Sequence, residues 1–268
     1  MRLQVLVATM SQSSHSLLDR MNIQSEAIVG NQCGWNEVEQ FLYRGFPVRC
    51  YSFQERGVGL NRNNAFMRAD ADICLFADDD VRYCDGYADL VLNEFARHPE
   101  ADVIVFNLDC KNEARKDYVI PNFSKVRWYN SLRYGAYRLA VRTTRVRRAN
   151  VAFSLLFGGG AQYGSGEDVI FLTECMKRGL GVYASPVFIG EVFHTESTWF
   201  HGYTEKFFRD KGALFAHISP RLAKPLCLQL LLRHREFLSA DIPLGKAYRL
   251  MKQGVREYLG KEPEEGAS

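Results

Sequence analysis

The stretch "ICLFADDDVRY", residues 73–83, carries a mostly apolar run straight into three consecutive aspartates. The apolar run is typical of a buried β-strand. The aspartates oppose burial, because neighbouring carboxylates repel each other and resist joint ionisation. A bound cation removes that repulsion, and in parallel sheets ligands bind beyond the carboxyl ends of the strands. The stretch therefore predicts a buried strand that ends at a ligand site.

The segments around this strand alternate between short apolar runs and helix-like patterns. Such alternation is typical of α/β proteins. We therefore predict the α/β class, with a mixed, mainly parallel central sheet flanked by helices. The predicted strands cover residues 3–9, 26–32, 46–53, 71–78 and 101–109, and the predicted helices cover residues 15–21, 61–70 and 87–98.

The composition limits the class of protein further. A chain of 268 residues, 47% of them hydrophobic, can bury the core of one large soluble domain or of one and a half. A net charge of only +3 argues against nucleic-acid binding. Seven cysteines without a C-x-x-C pair favour reduced thiols. We expect a cytoplasmic protein, because the first residues lack a signal-peptide pattern and no apolar run reaches the roughly 18 residues of a membrane span.

The three aspartates are the first candidate site. Alternation along a strand would direct Asp78 and Asp80 to the same side. Two carboxylates on one side provide the hard oxygen ligands that Mg²⁺ or Mn²⁺ prefer. The alternative is a solvated turn, or an N-cap for the helix that follows.

A second acidic pair, Glu167 and Asp168, follows a glycine-rich loop in "YGSGEDVIFLTECMKRGLGVYA", residues 163–184. The apolar residues that come next predict a helix, so the pair occupies its first turn. Acidic residues in a first turn stabilise any helix through its dipole. Helix capping is therefore the alternative to a chemical role.

The third candidate is "ERGVGLNRNNAF", residues 55–66. Gly57 and Gly59 are similar to the opening of a dinucleotide-binding fingerprint, but Arg62 stands where the third glycine belongs. Arg62 and Asn63 instead enter a helix just beyond a strand, where they could hold a nucleotide diphosphate and its ribose. A surface arginine with an asparagine cap is the alternative.

In their order along the chain these motifs resemble family 2 glycosyltransferases, which have the Rossmann-like GT-A fold. The resemblance runs from residue 1 to about residue 218 and rests on "ATM", "GNQ", "GLNRNNA", "DDD", "GED" and "VFHTESTWF". "DDD" corresponds to the DxD motif of the family. The combination of "GSGED", "STWF" and "GYTEKFFRDKGALF" is similar to bacterial enzymes that build capsule, O-antigen or exopolysaccharide.

The resemblance implies a domain organisation. Residues 1–218 would form the GT-A domain, with a nucleotide-sugar-binding half at 1–110 and an acceptor-binding half at 111–218. Residues 219–268 would form a helical C-terminal extension and a polar tail.

The resemblance also implies a reaction. A divalent ion, Mn²⁺ or Mg²⁺, would bind the diphosphate of a nucleotide-sugar, expected to be a UDP-sugar, and stabilise the charge of the leaving group. A carboxylate would take the proton of the acceptor hydroxyl during attack. The implied displacement inverts the anomeric carbon. The expected acceptor is a glycan or a lipid diphosphate-linked sugar in bacterial surface polysaccharide synthesis.

The roles of the family's residues carry over to positions of this sequence. Asp168 would be the catalytic base, with Glu167 orienting it or binding the acceptor. Asp80 would bind the metal ion, with His194 as a further ligand. The family usually has an acid where Asn31 or Gln32 stands, so recognition of the base is open. The donor-binding positions would be Thr9, Asn31 and Gln32 at the nucleoside, Arg62 and Asn63 at the nucleotide, Asp78 at the ribose or sugar, and Asp79 beside it.

Charge is unevenly distributed. Residues 118–166 contain no Asp or Glu but eight Lys and Arg, all within 125–148. Such a segment attracts phosphate or an anionic surface, and the amphipathic pattern at 245–260 is one that can lie on a membrane. We therefore expect peripheral membrane contact at the inner face of the plasma membrane, and no nucleic-acid partner. The alternatives are a solvated basic face and a helix that packs on its own domain.

Two other functions stay open at the level of sequence. A sugar-phosphate nucleotidyltransferase has a related sheet, but its glycine-rich basic loop should follow the first strand, where this chain has "ATMSQSSHS". A non-catalytic nucleotide or polysaccharide binder would keep the pocket without needing Asp168.

Overall fold

The predicted α/β architecture is confirmed. The computed structural model describes residues 1–112, 117–194, 202–235 and 242–260. In these residues one mixed, mainly parallel sheet is flanked by helices, and the C-terminal region adds a helical layer. The predicted motif "STWF" and the polar tail lie outside the described residues.

Within the described residues the sheet has ten strands. They are β1 (Leu3–Met10), β2 (Glu26–Gln32), β3 (Glu37–Tyr43), β4 (Phe46–Phe53), β5 (Ile73–Asp78), β6 (Val81–Tyr83), β7 (Val103–Cys110), β8 (Ser124–Lys125), β9 (Leu139–Arg142) and β10 (Val182–Val192). The five predicted strands match β1, β2, β4, β5 and β7 to within two residues at each end.

Strand order across the sheet is β3-β4-β2-β1-β5-β9-β7-β10-β6, and β8 pairs with β10. Strands β4, β2, β1 and β5 are parallel neighbours, so their carboxyl ends lie along one edge. Strand β9 interrupts this arrangement, because it pairs antiparallel with both β5 and β7. The sequence patterns do not predict β3, β6, β8, β9 or β10.

Helices cover both faces of the sheet. In the part of the chain that the structure describes, the α-helices are α1 (Ser16–Arg20), α2 (Val58–Arg68), α3 (Tyr87–Arg97), α4 (Thr143–Arg148), α5 (Glu167–Lys177) and, in the C-terminal layer, α6 (Glu205–Ile218), α7 (Ala223–Arg233) and α8 (Leu244–Tyr258). Helix α2 begins three residues before the predicted start, so the "GLNRNNA" motif lies entirely within it.

Strand β5 is buried on both faces. Leu75 belongs to one apolar cluster and Phe76 to the other, because successive side chains of a strand point to opposite faces. The ring of Phe76 lies 5.6 Å from that of Phe66, 5.0 Å from Phe153 and 5.9 Å from Phe171. Burial of one such side chain contributes about 1.5–3 kcal/mol. Packing from both sides therefore fixes the carboxyl end of β5.

Helices α6, α7 and α8 share an apolar core of their own. Helices α6 and α8 approach closely at two glycines. A Cβ added to Gly212 would lie 2.0 Å from the carbonyl oxygen of Met251, and one added to Gly254 would lie 2.0 Å from that of Arg209. Only glycine permits this approach. The boundary predicted at residue 218 falls at the end of α6.

The predicted amphipathic helix is present as α8. Its apolar side chains, among them Ala247, Met251 and Val255, are buried in the core shared with α6 and α7. That is the packing alternative to a helix lying on a membrane. Within the described ranges, no helix combines the length and the apolar character that a membrane crossing requires.

Candidate active site

A cleft with a volume of about 700 Å³ opens at the carboxyl edge of the parallel strands. Ala8 of β1 pairs with Asp78 of β5, and Thr9 pairs with Asn31 of β2, so the ends of three strands meet there. The volume suits a ligand of nucleotide size. Of the predicted site residues, those lining the cleft are Thr9, Gln32, Arg62, Asp78, Asp79, Asp80, Glu167, Asp168 and His194.

All three aspartates line the cleft, whereas strand alternation would direct Asp79 away. The alternation rule fails because β5 ends at Asp78 and the next two residues form the turn to β6. Asp79 accepts a hydrogen bond from the Thr9 hydroxyl. Partial desolvation by the cleft walls, together with the charge of Asp78, raises the pKa of Asp79 and raises the pKa of Asp80 to about 6, although the Asp79 side chain stays exposed. The ionised carboxylates are therefore costly here without a cation.

The predicted metal ligands Asp80 and His194 are neighbours in space. Strands β6 and β10 pair, and Phe193 N donates to the Asp80 carbonyl at 3.1 Å. His194 has a φ of 42°, a region that non-glycine residues rarely occupy, and Asn112 Nδ2 donates to its carbonyl at 3.0 Å. Carboxylate oxygens suit Mg²⁺ or Mn²⁺ and imidazole nitrogen is a common metal ligand. The donor set thus fits a divalent ion.

Arg62 joins the two acidic motifs. Its guanidinium is buried, with Nη2 2.6 Å from Asp78 Oδ1 and Nη1 2.9 Å from Glu167 Oε1. Burial opposes the charge of Arg62, but the two carboxylates outweigh it and raise the pKa of the guanidinium. The side chain therefore holds the end of β5 against the start of α5. Its predicted contact with a nucleotide stays a prediction.

Glu167 and Asp168 start helix α5 inside the cleft. Gly166, which precedes them, has a φ of 117°, and a Cβ there would lie 2.6 Å from Leu214 Cδ1 of α6. Glycine is thus required for this turn. Asp168 Oδ1 accepts the Val169 backbone N–H at 2.8 Å. Burial, and then the charge of Glu167, raise the pKa of Asp168, which makes its carboxylate a stronger proton acceptor near neutral pH.

One face of α6 holds the loop before α5, which we call the glycine loop, residues 162–166. The bonds come from Lys206, Asp210 and Lys211. Lys206 Nζ donates to the Gln162 carbonyl at 2.8 Å, Gly164 N donates to Asp210 Oδ2 at 2.8 Å, and Lys211 Nζ donates to Ser165 Oγ at 3.1 Å. The C-terminal helical layer therefore positions the acidic pair.

Lys211 is a site residue that the sequence does not identify. It lines the cleft, and burial lowers the pKa of its ammonium group, an effect that Asp168 and Glu167 oppose. The lysine and Asp168 are 43 positions apart on different helices, so no local motif joins them. A positive charge beside the acidic pair can stabilise either the carboxylates or an anionic ligand.

Three side chains that the sequence predicts to bind the donor make hydrogen bonds within the protein instead. Asn31 Oδ1 accepts the Gln12 backbone N–H at 3.0 Å, so it fixes the loop after β1. Gln32 reaches the cleft, but its Oε1 accepts Gly57 N at 2.7 Å. Asn63 exchanges two hydrogen bonds with the backbone of Phe153. Neither Asn31 nor Asn63 lines the cleft.

The basic segment 125–148 is largely engaged within the fold. Arg142 donates to the backbone carbonyls of Ala101 and Phe95, and Arg145 pairs with Asp102 at 2.8 Å. Other contacts bind Arg138 to the carbonyls of Tyr118 and Arg133, and Arg147 to those of Phe66 and Ala69. At least half of the segment's eight positive charges thus serve internal contacts, which weakens the expectation of a surface for anions.

The fold is that of the GT-A glycosyltransferases. The chain is similar to S. aureus TarS 1–349 in complex with UDP-GlcNAc, with a TM-score of 0.66 and 16% identity over 98% of this chain and 82% of that one. It is also similar to the mannosyltransferase PcManGT from Pyrobaculum calidifontis in complex with GDP-Man and Mn²⁺, with a TM-score of 0.52 and 11% identity over 98% and 76% of the two chains. At these identities the likeness concerns the fold alone.

Sequence comparison identifies the family. The profile of glycosyl transferase family 2 matches residues 11–154, and the chain belongs to this family. A comparison with curated proteins gives no match.

Proposed function

We propose that this chain is a metal-dependent, inverting glycosyltransferase that takes its sugar from a nucleotide-sugar, expected to be a UDP-sugar. The observation that carries the proposal is the convergence of Asp78–Asp80 and Glu167–Asp168 on one cleft, with Arg62 between them. TarS with UDP-GlcNAc and the mannosyltransferase with GDP-Man and Mn²⁺ support a nucleotide-sugar and a divalent ion as ligands.

Asp80 and His194 would hold Mn²⁺ or Mg²⁺, which supplies charge stabilisation for the departing nucleoside diphosphate. Asp78, held by Arg62, would face the ribose or the sugar, and Asp79 with Thr9 would line the donor pocket. Gln32 is the member of the predicted nucleoside set that lines the cleft. Asn31 and Asn63 would act indirectly, through the backbone segments that they fix.

Asp168 would take the proton of the acceptor hydroxyl, because its carboxylate lines the cleft and its pKa is raised. With one base and no covalent intermediate, the displacement would invert the anomeric carbon. Glu167 shares its charge with Arg62, which supports the orienting role more than the acceptor-binding one. Leu132, Ala136 and Tyr137 form a further wall of the cleft, where a glycan or lipid diphosphate-linked acceptor would lie.

A role in bacterial surface polysaccharide synthesis at the inner membrane face remains part of the proposal. The structure supports membrane contact less than the sequence pattern does, because α8 buries its apolar face and many arginines of 125–148 bind other groups of the protein. Any membrane contact would therefore involve the exposed aromatic side chains Trp128 and Tyr129 with the basic residues beside them.

The test is nucleoside diphosphate release from a panel of UDP- and GDP-sugars with Mn²⁺ and candidate acceptors. Asp168→Asn should lower kcat by about 10²–10⁴-fold, the usual contribution of a general base. Glu174→Gln is the matched control on the same helix, because Glu174 pairs with Lys177 outside the cleft. Activity that survives Asp168→Asn would contradict the assigned base.

A further inference from the structure

A buried hydrogen-bonded chain lies behind His194. His194 Nε2 is 3.1 Å from Asp117 Oδ2, with the two side chains 5% and 14% exposed. The hydroxyl of Tyr137 donates to the same carboxylate oxygen, and the ring of Tyr137 meets the imidazole edge-on at 5.5 Å. None of the sequence motifs includes Asp117.

The chain of donors fixes the tautomer of the imidazole. An ionised carboxylate only accepts hydrogen bonds, so the Nε2 of His194 must carry the proton that points to Asp117. In the neutral imidazole the lone pair then resides on Nδ1, the other ring nitrogen. His194 lines the same cleft as Asp80, and the bond from Phe193 N to the Asp80 carbonyl ties the two segments together.

We propose that Asp117 is a positioning residue that holds His194 in the Nε2–H form, so that Nδ1 is available to the divalent ion at Asp80. This inference rests on the proposed metal-dependent function. A carboxylate behind a metal-binding histidine fixes the ring's orientation and raises its basicity, and removal of such a partner typically costs 10–100-fold in metal affinity. Tyr137 acts one step further out, because it anchors the carboxylate.

A different arrangement uses the same residues. The ligand atoms of Cys110, Asp117 and His194 lie within 4.8 Å of one another, so a metal ion could bind this group directly. Two donors already converge on Asp117 Oδ2, and a metal there would displace both. The two arrangements differ in what they predict for Cys110: only direct binding makes its thiol a ligand.

The first experiment measures Mn²⁺ affinity by electron paramagnetic resonance, with UDP present, in the full chain. Asp117→Asn should bind Mn²⁺ about 10–100-fold more weakly than the wild type, and His194→Ala should be at least as weak. Tyr137→Phe keeps the ring but removes the hydroxyl, so its Mn²⁺ affinity should fall by about 2–10-fold, which corresponds to the loss of one hydrogen bond. Asp109→Asn, an exposed aspartate paired with Lys111, and Cys110→Ser should both match the wild type.

The second experiment needs no metal. Nitrogen-15 NMR of the His194 ring should show the Nε2–H tautomer in the wild type and a mixture in Asp117→Asn, an effect that a merely structural role would not produce. Equal Mn²⁺ affinity of Asp117→Asn and wild type, with His194→Ala weakened, would overturn the inference alone. A loss of Mn²⁺ affinity in Cys110→Ser would overturn the inference and favour a metal ion bound directly by Cys110, Asp117 and His194. Wild-type protein that takes up no Mn²⁺ would overturn both the inference and the proposed metal dependence.

Discussion

Arg62 connects two acidic sequence motifs, Asp78–Asp80 and Glu167–Asp168, in one site. The guanidinium offers a rigid fork of donors, and each arm bonds a carboxylate from a different motif. Lysine could not reproduce this, because an ammonium group is a point charge without the planar fork. Burial adds to the effect, since a buried charge without a partner is costly. Arg62 thus contributes to stability and to site geometry together.

The first prediction concerns the removal of this fork. Arg62→Met should lower the free energy of unfolding by about 3–5 kcal/mol, because it leaves the Glu167 carboxylate, only 12% exposed, without its cation. Arg62→Lys should retain part of the stability but lose sugar transfer, since one ammonium cannot hold both carboxylates. Urea unfolding and donor turnover measure the two effects. Arg44→Met is the control, because Arg44 pairs with Asp19 and both side chains are exposed; it should change stability by less than about 0.5 kcal/mol. An equally mild effect of Arg62→Met would contradict the bridging role.

The second prediction concerns Lys211 and pH. Asp168 must be ionised to accept a proton, so kcat/KM should fall as the pH drops through its raised pKa. Glu167 raises this pKa further, while Arg62 and Lys211 lower it. Lys211→Met removes one lowering charge, so the acidic limb of the pH profile should move up by about 1 unit. Lys211→Arg keeps the charge and should restore the limb. If the acidic limb of the pH profile does not move in Lys211→Met, the lysine does not act on the pKa of Asp168, and its role is limited to the hydrogen bond with Ser165.

The residues of the site differ in how far the sequence reveals them. Asp78–Asp80 and Glu167–Asp168 follow directly from local motifs, because unusual clusters of acid stand next to strong strand and helix signals. Asp117 and Lys211 carry no such signal. Their significance depends on His194 and Asp168, which lie 77 and 43 positions away and meet them only through the tertiary fold.

At the scale of elements, α6 connects the C-terminal layer with the site. Its side chains bond the glycine loop on one face, while Gly212 on another face contacts α8. A displacement of α6 away from α8 would therefore move the glycine loop and the acidic pair that follows it. The helical layer is thus part of the site's support, although it lies C-terminal to most of the sequence motifs.

The third prediction tests this support. Gly254→Ala should destabilise the protein by about 1–3 kcal/mol, because its Cβ would meet the carbonyl of Arg209 and overpack the crossing. Donor turnover should fall with it. Gly245→Ala is the control in the same helix: a Cβ there meets nothing within 4 Å, so the change in stability should stay within about 0.5 kcal/mol. Equal stability of the two variants in urea unfolding would rule out the close crossing.

The elements that the sequence reveals are those with local signals. Strong apolar runs predict β1, β2, β4, β5 and β7. Strand β3 is missed because it is an edge strand without a buried residue, so it lacks a strong apolar run. Strand β9 is missed because it has only four residues, and its place between β5 and β7 is set by pairing that local sequence does not encode.

For the whole molecule, charge decides how metal and donor bind. The cleft is lined by five carboxylates and by two positively charged side chains, Arg62 and Lys211. A nucleoside diphosphate would add further negative charge beside Asp78–Asp80, so it should bind poorly alone. A divalent ion neutralises both sides. Metal and nucleotide should therefore bind cooperatively.

The fourth prediction follows from this cooperativity. UDP alone or Mn²⁺ alone should shift the melting temperature little, whereas both together, at about 100 times the dissociation constant of UDP, should add about 2.7 kcal/mol of stability and raise Tm by roughly 5–10 °C. Differential scanning fluorimetry with and without EDTA measures this. Asp80→Asn should abolish the joint effect, whereas Asp109→Asn should keep it. A full shift with UDP in EDTA would mean that the acidic cleft holds its nucleotide through protein cations alone, and the carboxylates at the end of β5 would then have no metal to bind.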